Sequence, residues 1–381
     1  MKAIFKKTDK LLLFLMIAFT IFGLIMIFSA SSITAVLYNG LSEHFYFQKH
    51  LYIIIATWIF GMLVLVYPTH KYKIWGPLGI IAIIAALAGL FPYGTFTNNV
   101  RSWYDLGFFS FQPSEFAKSI IIVYLAVSLD KIHRKGKYTL NKLSVPFLFV
   151  LIIFGLTLIQ PDLGTAAIIG GIAFLIFLAL PSKDKNVNNF KKIGIFTVIA
   201  CSLFIIYGGK LLTEEQSSRL TYKEPCTRYT EKTGYQVCNG FIAISNGGLI
   251  GAGLGNSTQK YLYLPEAYTD FIFPVIIEEW GAIIGILIIL LFLVLLYRIL
   301  KIAKNASNLK GSIIAYGTFS FILLHLLINF LGVLAFIPLT GVPVPFLSYG
   351  GSFYINIMFM LFLTQRVQIE TLEFKQKEVL K

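Results

Sequence analysis

Gly281-Ala-Ile-Ile-Gly-Ile-Leu-Ile-Ile-Leu-Leu-Phe-Leu-Val-Leu-Leu-Tyr297 contains no Asp, Glu, Lys or Arg. Together with residues from 271 onward it forms an apolar run long enough to cross a bilayer as a helix, for which about 20 residues suffice. Nine more runs lie near 11–30, 51–66, 75–92, 113–129, 144–160, 163–180, 192–208, 312–334 and 351–365. The 381 residues are 57% hydrophobic and only 13% charged, where a surface wetted by water takes about 25% charge. Lipid must therefore solvate most of the exterior. The expected fold is an all-α polytopic membrane protein of ten transmembrane helices, forming one integral membrane domain over 1–381. The first run follows a basic start as a signal peptide does, but its length and the topology make it helix one.

A net charge of +14 raises the question of nucleic acid, and the placement of the cations answers it. With the N-terminus inside, 23 of the 32 Lys and Arg fall in cytoplasmic segments, as the positive-inside rule requires. No basic cluster is left over, so a nucleic-acid partner is excluded. Both termini are then cytoplasmic, 209–270 is a long extracellular loop between helices 7 and 8, and 366–381 is a cytoplasmic tail. Twelve of the 18 Asp and Glu lie in outer loops or within helices, so any catalytic carboxylate faces outward.

Cys226 and Cys238 both lie in the outer loop, where an oxidising exterior permits a disulfide; two free thiols are the alternative. The five histidines show no metal-binding spacing, and His325 reads as packed within helix nine. Gly247-Gly-Leu-Ile-Gly-Ala-Gly-Leu-Gly255 matches no nucleotide-binding pattern and reads as a close-packed turn or re-entrant segment. No internal repeat supports a transporter built by duplication.

Ionisable residues within apolar helices are costly unless paired or wetted. In Phe111-Gln-Pro-Ser-Glu-Phe-Ala-Lys118, a helix starting at Pro113 puts Glu115 and Lys118 three apart on one face. Either they form a bundle-stabilising ion pair or they hold a cation ready for an anionic headgroup. Arg101-Ser-Trp103 adds a cation beside an aromatic ring suited to an interface or a sugar face. Asp162, in Gln160-Pro-Asp-Leu-Gly164, and Asp270, at the head of helix eight, both allow a plain N-cap reading. Glu278 and Glu279 lie two turns below Asp270, and capping does not explain three carboxylates at one helix end. Thr340-Gly-Val-Pro-Val-Pro-Phe-Leu-Ser-Tyr-Gly-Gly351 is uncharged and rich in Gly and Pro, as a turn or a close backbone approach to a ligand requires.

Arg101-Ser-Trp-Tyr-Asp-Leu-Gly107, Gln112-Pro-Ser-Glu-Phe-Ala-Lys118, Gln160-Pro-Asp-Leu-Gly164, Gly255-Asn-Ser-Thr-Gln-Lys260, Pro265-Glu-Ala-Tyr-Thr-Asp-Phe-Ile-Phe273 and Pro345-Phe-Leu-Ser-Tyr-Gly-Gly351 together resemble the SEDS family (shape, elongation, division and sporulation), in order and over nearly the whole chain. The wording at 256–260 and 265–267 is more similar to division-type than to elongation-type members. The resemblance implies a peptidoglycan glycosyltransferase that uses lipid II at the bacterial cell membrane, at the division septum, beside a class B penicillin-binding protein and other division or elongation proteins. The family's essential aspartate falls on Asp270, and its fourth-helix Trp and Lys on Trp103 and Lys118.

In this chemistry a sugar hydroxyl attacks an anomeric carbon while a polyprenyl pyrophosphate leaves. Asp270 is the candidate general base, and Lys118 with Arg101 the candidate charge for the pyrophosphate. The substrate-binding candidates are Arg101, Trp103, Gln112, Ser114, Glu115, Asp162, Ser348 and Gly350. A divalent cation (Mg or Mn) held by carboxylates, Asp270 among them, is compatible; no organic cofactor is expected. Glu278 and Glu279 are assigned to tuning Asp270 or pairing with buried cations. Three positions depart from the family: Tyr268 replaces its usual His, Pro274 its common Ala and Phe353 a usual Ser, and Pro274 is placed to open the first turn of helix eight and shift Asp270. The rival readings are a lipid II transporter, which needs charges at every depth of the bilayer, and a scaffold for a partner synthase, which needs no buried carboxylates.

Overall fold

The computed structural model describes residues 2–97, 100–107, 110–136, 138–160, 162–207, 224–261 and 263–379. A short helix α1 (Lys2–Lys7) precedes seven long ones: α2 (Lys10–Asn39), α3 (Phe45–Val66), α4 (Tyr72–Tyr93), α5 (Pro113–Arg134), α6 (Leu140–Ile159), α7 (Leu163–Ala179) and α8 (Lys185–Tyr207). Then come α9 (Lys232–Gly247), α10 (Ile272–Asn305), α11 (Leu309–Val333) and α12 (Gly351–Val379). Each apolar run of the sequence lies on one of the long helices. Among the described residues six helical spans are long and apolar enough to cross a membrane: Lys10–Leu37, Phe45–Val66, Thr69–Tyr93, Leu140–Ile159, Ile272–Asn305 and Leu309–Val333.

The helices sort by what surrounds them. α5 and α12 are central, and their apolar residues, such as Ile121, Leu125, Ile357 and Leu361, are fully buried. α3 and α4 turn Ile59, Leu63 and Ile81 outward. Lipid tails are as apolar as a core, so hydrophobic periodicity does not mark the packed face of such helices. α12 continues past 366 to Val379, its first part held by contacts (Arg366 Nη1 donates to the Leu65 carbonyl at 3.0 Å, and Glu370 accepts from the Thr69 N–H at 2.7 Å) and residues 374–379 exposed.

Three features depart from the expected all-helical plan. A small antiparallel sheet, β1 (Thr95–Thr97), β2 (Val100–Asp105) and β3 (Ser110–Phe111), joins α4 to α5. The long loop carries α9, and the Cys226–Cys238 disulfide ties that helix to the short turn Pro225–Arg228. α10 is broken at Gly281, where φ is +82°. The break releases backbone groups that a membrane interior cannot hydrate, and the glycine turn satisfies them. Ala252 and Gly253 donate to the carbonyls of Glu278 and Glu279 at 2.9 and 3.0 Å, while Ala282 and Ile283 donate to those of Gly248 and Leu249 at 2.9 and 3.3 Å. A Cβ on Gly247, Gly251 or Gly281 would collide with the facing backbone, so the close-packed turn expected at 247–255 is seated in a helix break that the sequence did not reveal.

Candidate active site

A cavity of about 880 Å³ opens where the sheet, the loop before α10 and the loop before α12 meet the tops of α3, α5, α7 and α11. Its wall includes Trp103, Gln112, Glu115, Lys118, Asp162, Asp270 and Gly350, residues drawn from five separate segments of sequence. Ser114 and Ser348 are buried outside this lining. Ser348 instead braces the loop before α10, its hydroxyl donating to the Thr269 carbonyl at 2.6 Å and accepting from the Val344 N–H at 2.8 Å. Arg101 lies on β2, but its side chain is outside the described residues.

Pro113 opens α5, as its fixed φ favours, and thereby points Glu115 and Lys118 the same way. Lys118 is 0% exposed, and its Nζ lies 2.7 Å from Glu115 Oε1 and 3.0 Å from His325 Nε2. The rings of Phe321 and Phe353 flank the ammonium at 5.5 and 5.8 Å, within cation–π range. An ammonium has three N–H donors, and two have partners among the described residues, which leaves one for an anionic group in the cavity. Phe353, at a position where the family usually has Ser, thus helps to enclose the cation.

Asp162 does cap α7, its Oδ1 accepting from the Thr165 N–H at 3.0 Å, yet its Oδ2 also accepts from Gln112 Nε2 at 3.4 Å on the cavity wall. Asp270 does not cap α10. The N-cap position is Phe271, and the Asp270 carboxylate instead faces the cavity, with the Thr269 hydroxyl 3.1 Å from its Oδ1. Pro274 is the third residue of α10, in the first turn where proline is tolerated. Burial, and secondarily the charge of Glu266, push the Asp270 carboxyl up to about 7; its own backbone N–H and the Thr269 hydroxyl act against the shift.

Glu278 and Glu279 stand apart from this cavity. Glu278 accepts from the Ser257 hydroxyl, the Thr258 hydroxyl at 2.9 Å and the Gln259 N–H at 3.3 Å. Glu279 pairs with Lys260 at 2.7 Å. Of the two roles assigned to them, pairing with a buried cation holds for Glu279, and Asp270 is perturbed by Glu266 instead.

The sequence reading gave no site role to Lys49, Ser102, Asp105 and Glu266 on the wall, took His325 only as packed and noted Tyr268 only as a departure from the family. Tyr268 packs against Tyr46 and Tyr349 with ring centroids 5.0 and 5.7 Å apart, and burial pushes its phenol upward. It lacks the near-neutral titration of the histidine it replaces. For His325 the available signal was an imidazole in a helix where every polar group must be accounted for. Among the described residues no group of three or more His, Cys, Asp or Glu could hold a metal ion; Glu266 and Asp270 form a carboxylate pair on the wall, with the Thr269 hydroxyl 2.7 Å from Glu266 Oε2 and 3.1 Å from Asp270 Oδ1.

Comparison with known proteins shows the family. Residues 9–373 match the model of the FtsW, RodA and SpoVE family, described as cell cycle proteins. A Bacillus subtilis (strain 168) protein named probable peptidoglycan glycosyltransferase FtsW is 37% identical over 362 residues, 92% of this chain and 88% of its own. Stage V sporulation protein E of the same organism is 35% identical over 91% of this chain and 93% of its own. A solved chain from a peptidoglycan synthase complex that coordinates polymerization and crosslinking superposes with a TM-score of 0.75 at 23% identity, over 96% of this chain and 98% of that one. The fold is that of an all-α, multi-pass membrane protein, and the chain belongs to the FtsW/RodA/SpoVE family of cell cycle proteins.

Proposed function

We propose that the cavity is the active site of a peptidoglycan glycosyltransferase that polymerises lipid II at the outer membrane face during septal wall synthesis. The observation that carries the reading is one cavity holding a desolvated carboxylate, Asp270, and a buried cation with a donor to spare, Lys118, in a chain whose relatives bear that enzymatic name.

In this reading the sugar hydroxyl of one lipid-linked disaccharide attacks the anomeric carbon of another. The new glycosidic C–O bond forms as the bond to the polyprenyl pyrophosphate breaks, and in-line attack inverts the anomeric centre. Asp270 takes the hydroxyl proton; its raised pKa makes it a stronger base than an exposed aspartate. Lys118 neutralises charge on the departing pyrophosphate from a site that excludes water, where the interaction is strongest. Trp103 offers a flat face to a sugar, and Gln112, Glu115, Asp162 and the Gly350 backbone supply polar contacts. A hard divalent cation needs only one or two carboxylates when substrate phosphates complete its shell. Glu266 and Asp270 would hold Mg²⁺ or Mn²⁺, which would supply further positive charge at the pyrophosphate.

The topology belongs to the same proposal: ten spans, both termini cytoplasmic, and the sheet and the long loop 209–270 on the outer side. A class B penicillin-binding protein is the expected crosslinking partner, with other division or elongation proteins alongside. A transporter requires charges through the full depth of the bundle, whereas the polar wall lies at one end of it.

The test is polymerisation of labelled lipid II by the full chain with a class B penicillin-binding protein, in the presence of a moenomycin-type inhibitor to silence contaminating synthases. Glycan chains from wild type and none from a folded Asp270→Asn support the reading. Equal polymer from both removes Asp270 from the chemistry, and none from either points to transport or scaffolding.

A further inference from the structure

Two buried polar side chains, His325 and Asn329, stand one turn apart on α11 as it passes the cavity. Asn329 Nδ2 donates to the carbonyl of Asp270 at 2.8 Å and to that of Val342 at 2.7 Å. His325 Nδ1 lies 3.2 Å from the Pro343 carbonyl oxygen, and Nε2 lies 3.0 Å from Lys118 Nζ. A carbonyl only accepts, so Nδ1 carries the proton and Nε2 presents its lone pair to the ammonium.

Both anchors thus land on the adjacent carbonyls of Val342 and Pro343. The same loop faces the carboxylate, for a Cβ on Gly341 would stand 3.9 Å from Asp270 Oδ2. Side chains four apart on a helix share a face, their Cβ atoms about 5–6 Å apart. Lys118 and Asp270 arrive from segments about 150 residues apart in sequence, yet each is tied to that one stiff face.

We propose that His325 and Asn329 form a single brace that fixes the separation of the Lys118 ammonium from the Asp270 carboxylate, and that both are positioning residues for glycosyl transfer. This rests on the roles given to Asp270 and Lys118 above. The rival account is packing: the His325 ring stacks on Phe353 at 4.5 Å and meets Phe321 edge-on at 5.0 Å. The two accounts predict opposite rescues. Glutamine keeps an acceptor for Lys118 and a donor for Pro343 but loses the ring, while phenylalanine keeps the ring and loses both polar groups.

The experiment measures lipid II polymerisation by the full chain with its class B penicillin-binding protein, with thermal unfolding in detergent as the folding control. His325→Gln should stay within about threefold of wild-type kcat, and His325→Phe should lose at least about tenfold in kcat with KM for lipid II within about twofold. An active His325→Phe beside an inactive His325→Gln overturns the brace. Asn329→Leu should lose kcat in the same way, and the double variant His325→Phe/Asn329→Leu should fall no more than about threefold below the weaker single, because one device has been removed. Losses that multiply also overturn it. If His325→Phe does not fold, Asn329→Leu decides alone, with reduced kcat at unchanged KM in favour and unchanged kcat against. Asp270→Asn separates the layers: if it polymerises normally, the site reading fails and the brace with it; if it is inactive while His325→Phe and Asn329→Leu are fully active, only the brace fails.

Discussion

Lys260 Nζ and Glu279 Oε1 are 2.7 Å apart with both side chains almost wholly shut off from solvent, and the Ser29 hydroxyl bonds to both partners. The loop before α10, α10 itself and α2 thus meet at one buried charge pair, away from the cavity that holds Asp270 and Lys118. Breaking such a pair leaves a lone charge that the interior cannot solvate.

Glu279→Gln or Lys260→Met should therefore each destabilise the protein by about 3–5 kcal/mol. Replacing both with apolar residues should cost much less. Thermal unfolding of the three purified variants checks this, and equal losses in singles and double would show that the pair is not the source.

Asp270 must be ionised to act as a base. With no divalent cation on Asp270, polymerisation should rise about tenfold per pH unit below about 7 and level off above it, and a bound cation would move this limb to lower pH. Glu266→Gln removes the neighbouring charge that raises this carboxyl and should move the acid limb to lower pH. The stability effect has a definite sign. The folded pKa lies above the ordinary 3.8, so the folded state holds the proton more tightly, and the associated stability is complete below about 4 and lost as pH rises through about 7. Asp270→Asn should accordingly unfold at higher temperature than wild type above pH 7, and this difference should shrink as the pH is lowered. A constant difference between pH 4 and 8 would contradict the assignment.

Gly281 has a φ of +82° and no room for a Cβ beside the Leu249 carbonyl. Gly281→Ala should lose several kcal/mol from strain and collision together, in the range of the most damaging single substitutions. Gly285→Ala, lower on the same helix and facing the side chains of Ile277 at 3.0 Å and Phe273 at 3.8 Å rather than backbone, should be milder. Expression level and unfolding temperature of the two variants make the comparison.

The Cys226–Cys238 disulfide closes a loop with a sequence separation of 12, a constraint that contributes about 3 kcal/mol in the chain-entropy account. Cys226→Ser/Cys238→Ser should be cleaved faster within 224–247 under limited proteolysis. Reducing agent should have the same effect on wild type and none on the double variant.

What could be read in advance followed from local chemistry. Apolar runs announced the long helices, since burial in lipid demands them whatever lies alongside. Pro113 fixed where α5 starts, and with it the Glu115–Lys118 pair. The sheet was hidden because strands as short as Ser110–Phe111 exist only through their pairing. The break at Gly281 was hidden because glycine in an apolar run is ordinarily tolerated in a helix. Asp270 looked like a cap because aspartate often is one, and only the fold shows Phe271 in that position. His325 was read as packed, which its aromatic neighbours bear out, but a partner 207 residues away cannot be seen from a lone histidine. Ser348 shows the reverse: a polar residue in a suggestive motif whose hydroxyl is used up inside its own loop.

The crossing at Gly281 also determines which parts of the molecule open together. Four amides, those of Ala252, Gly253, Ala282 and Ile283, are held across it by carbonyls of the opposite segment, so none can be released without freeing the others. They should exchange with deuterated solvent at a common rate, as one cooperative unit, although about 30 residues separate the two pairs in sequence. The nine residues 272–280 should therefore open with the glycine turn rather than with the rest of their own helix.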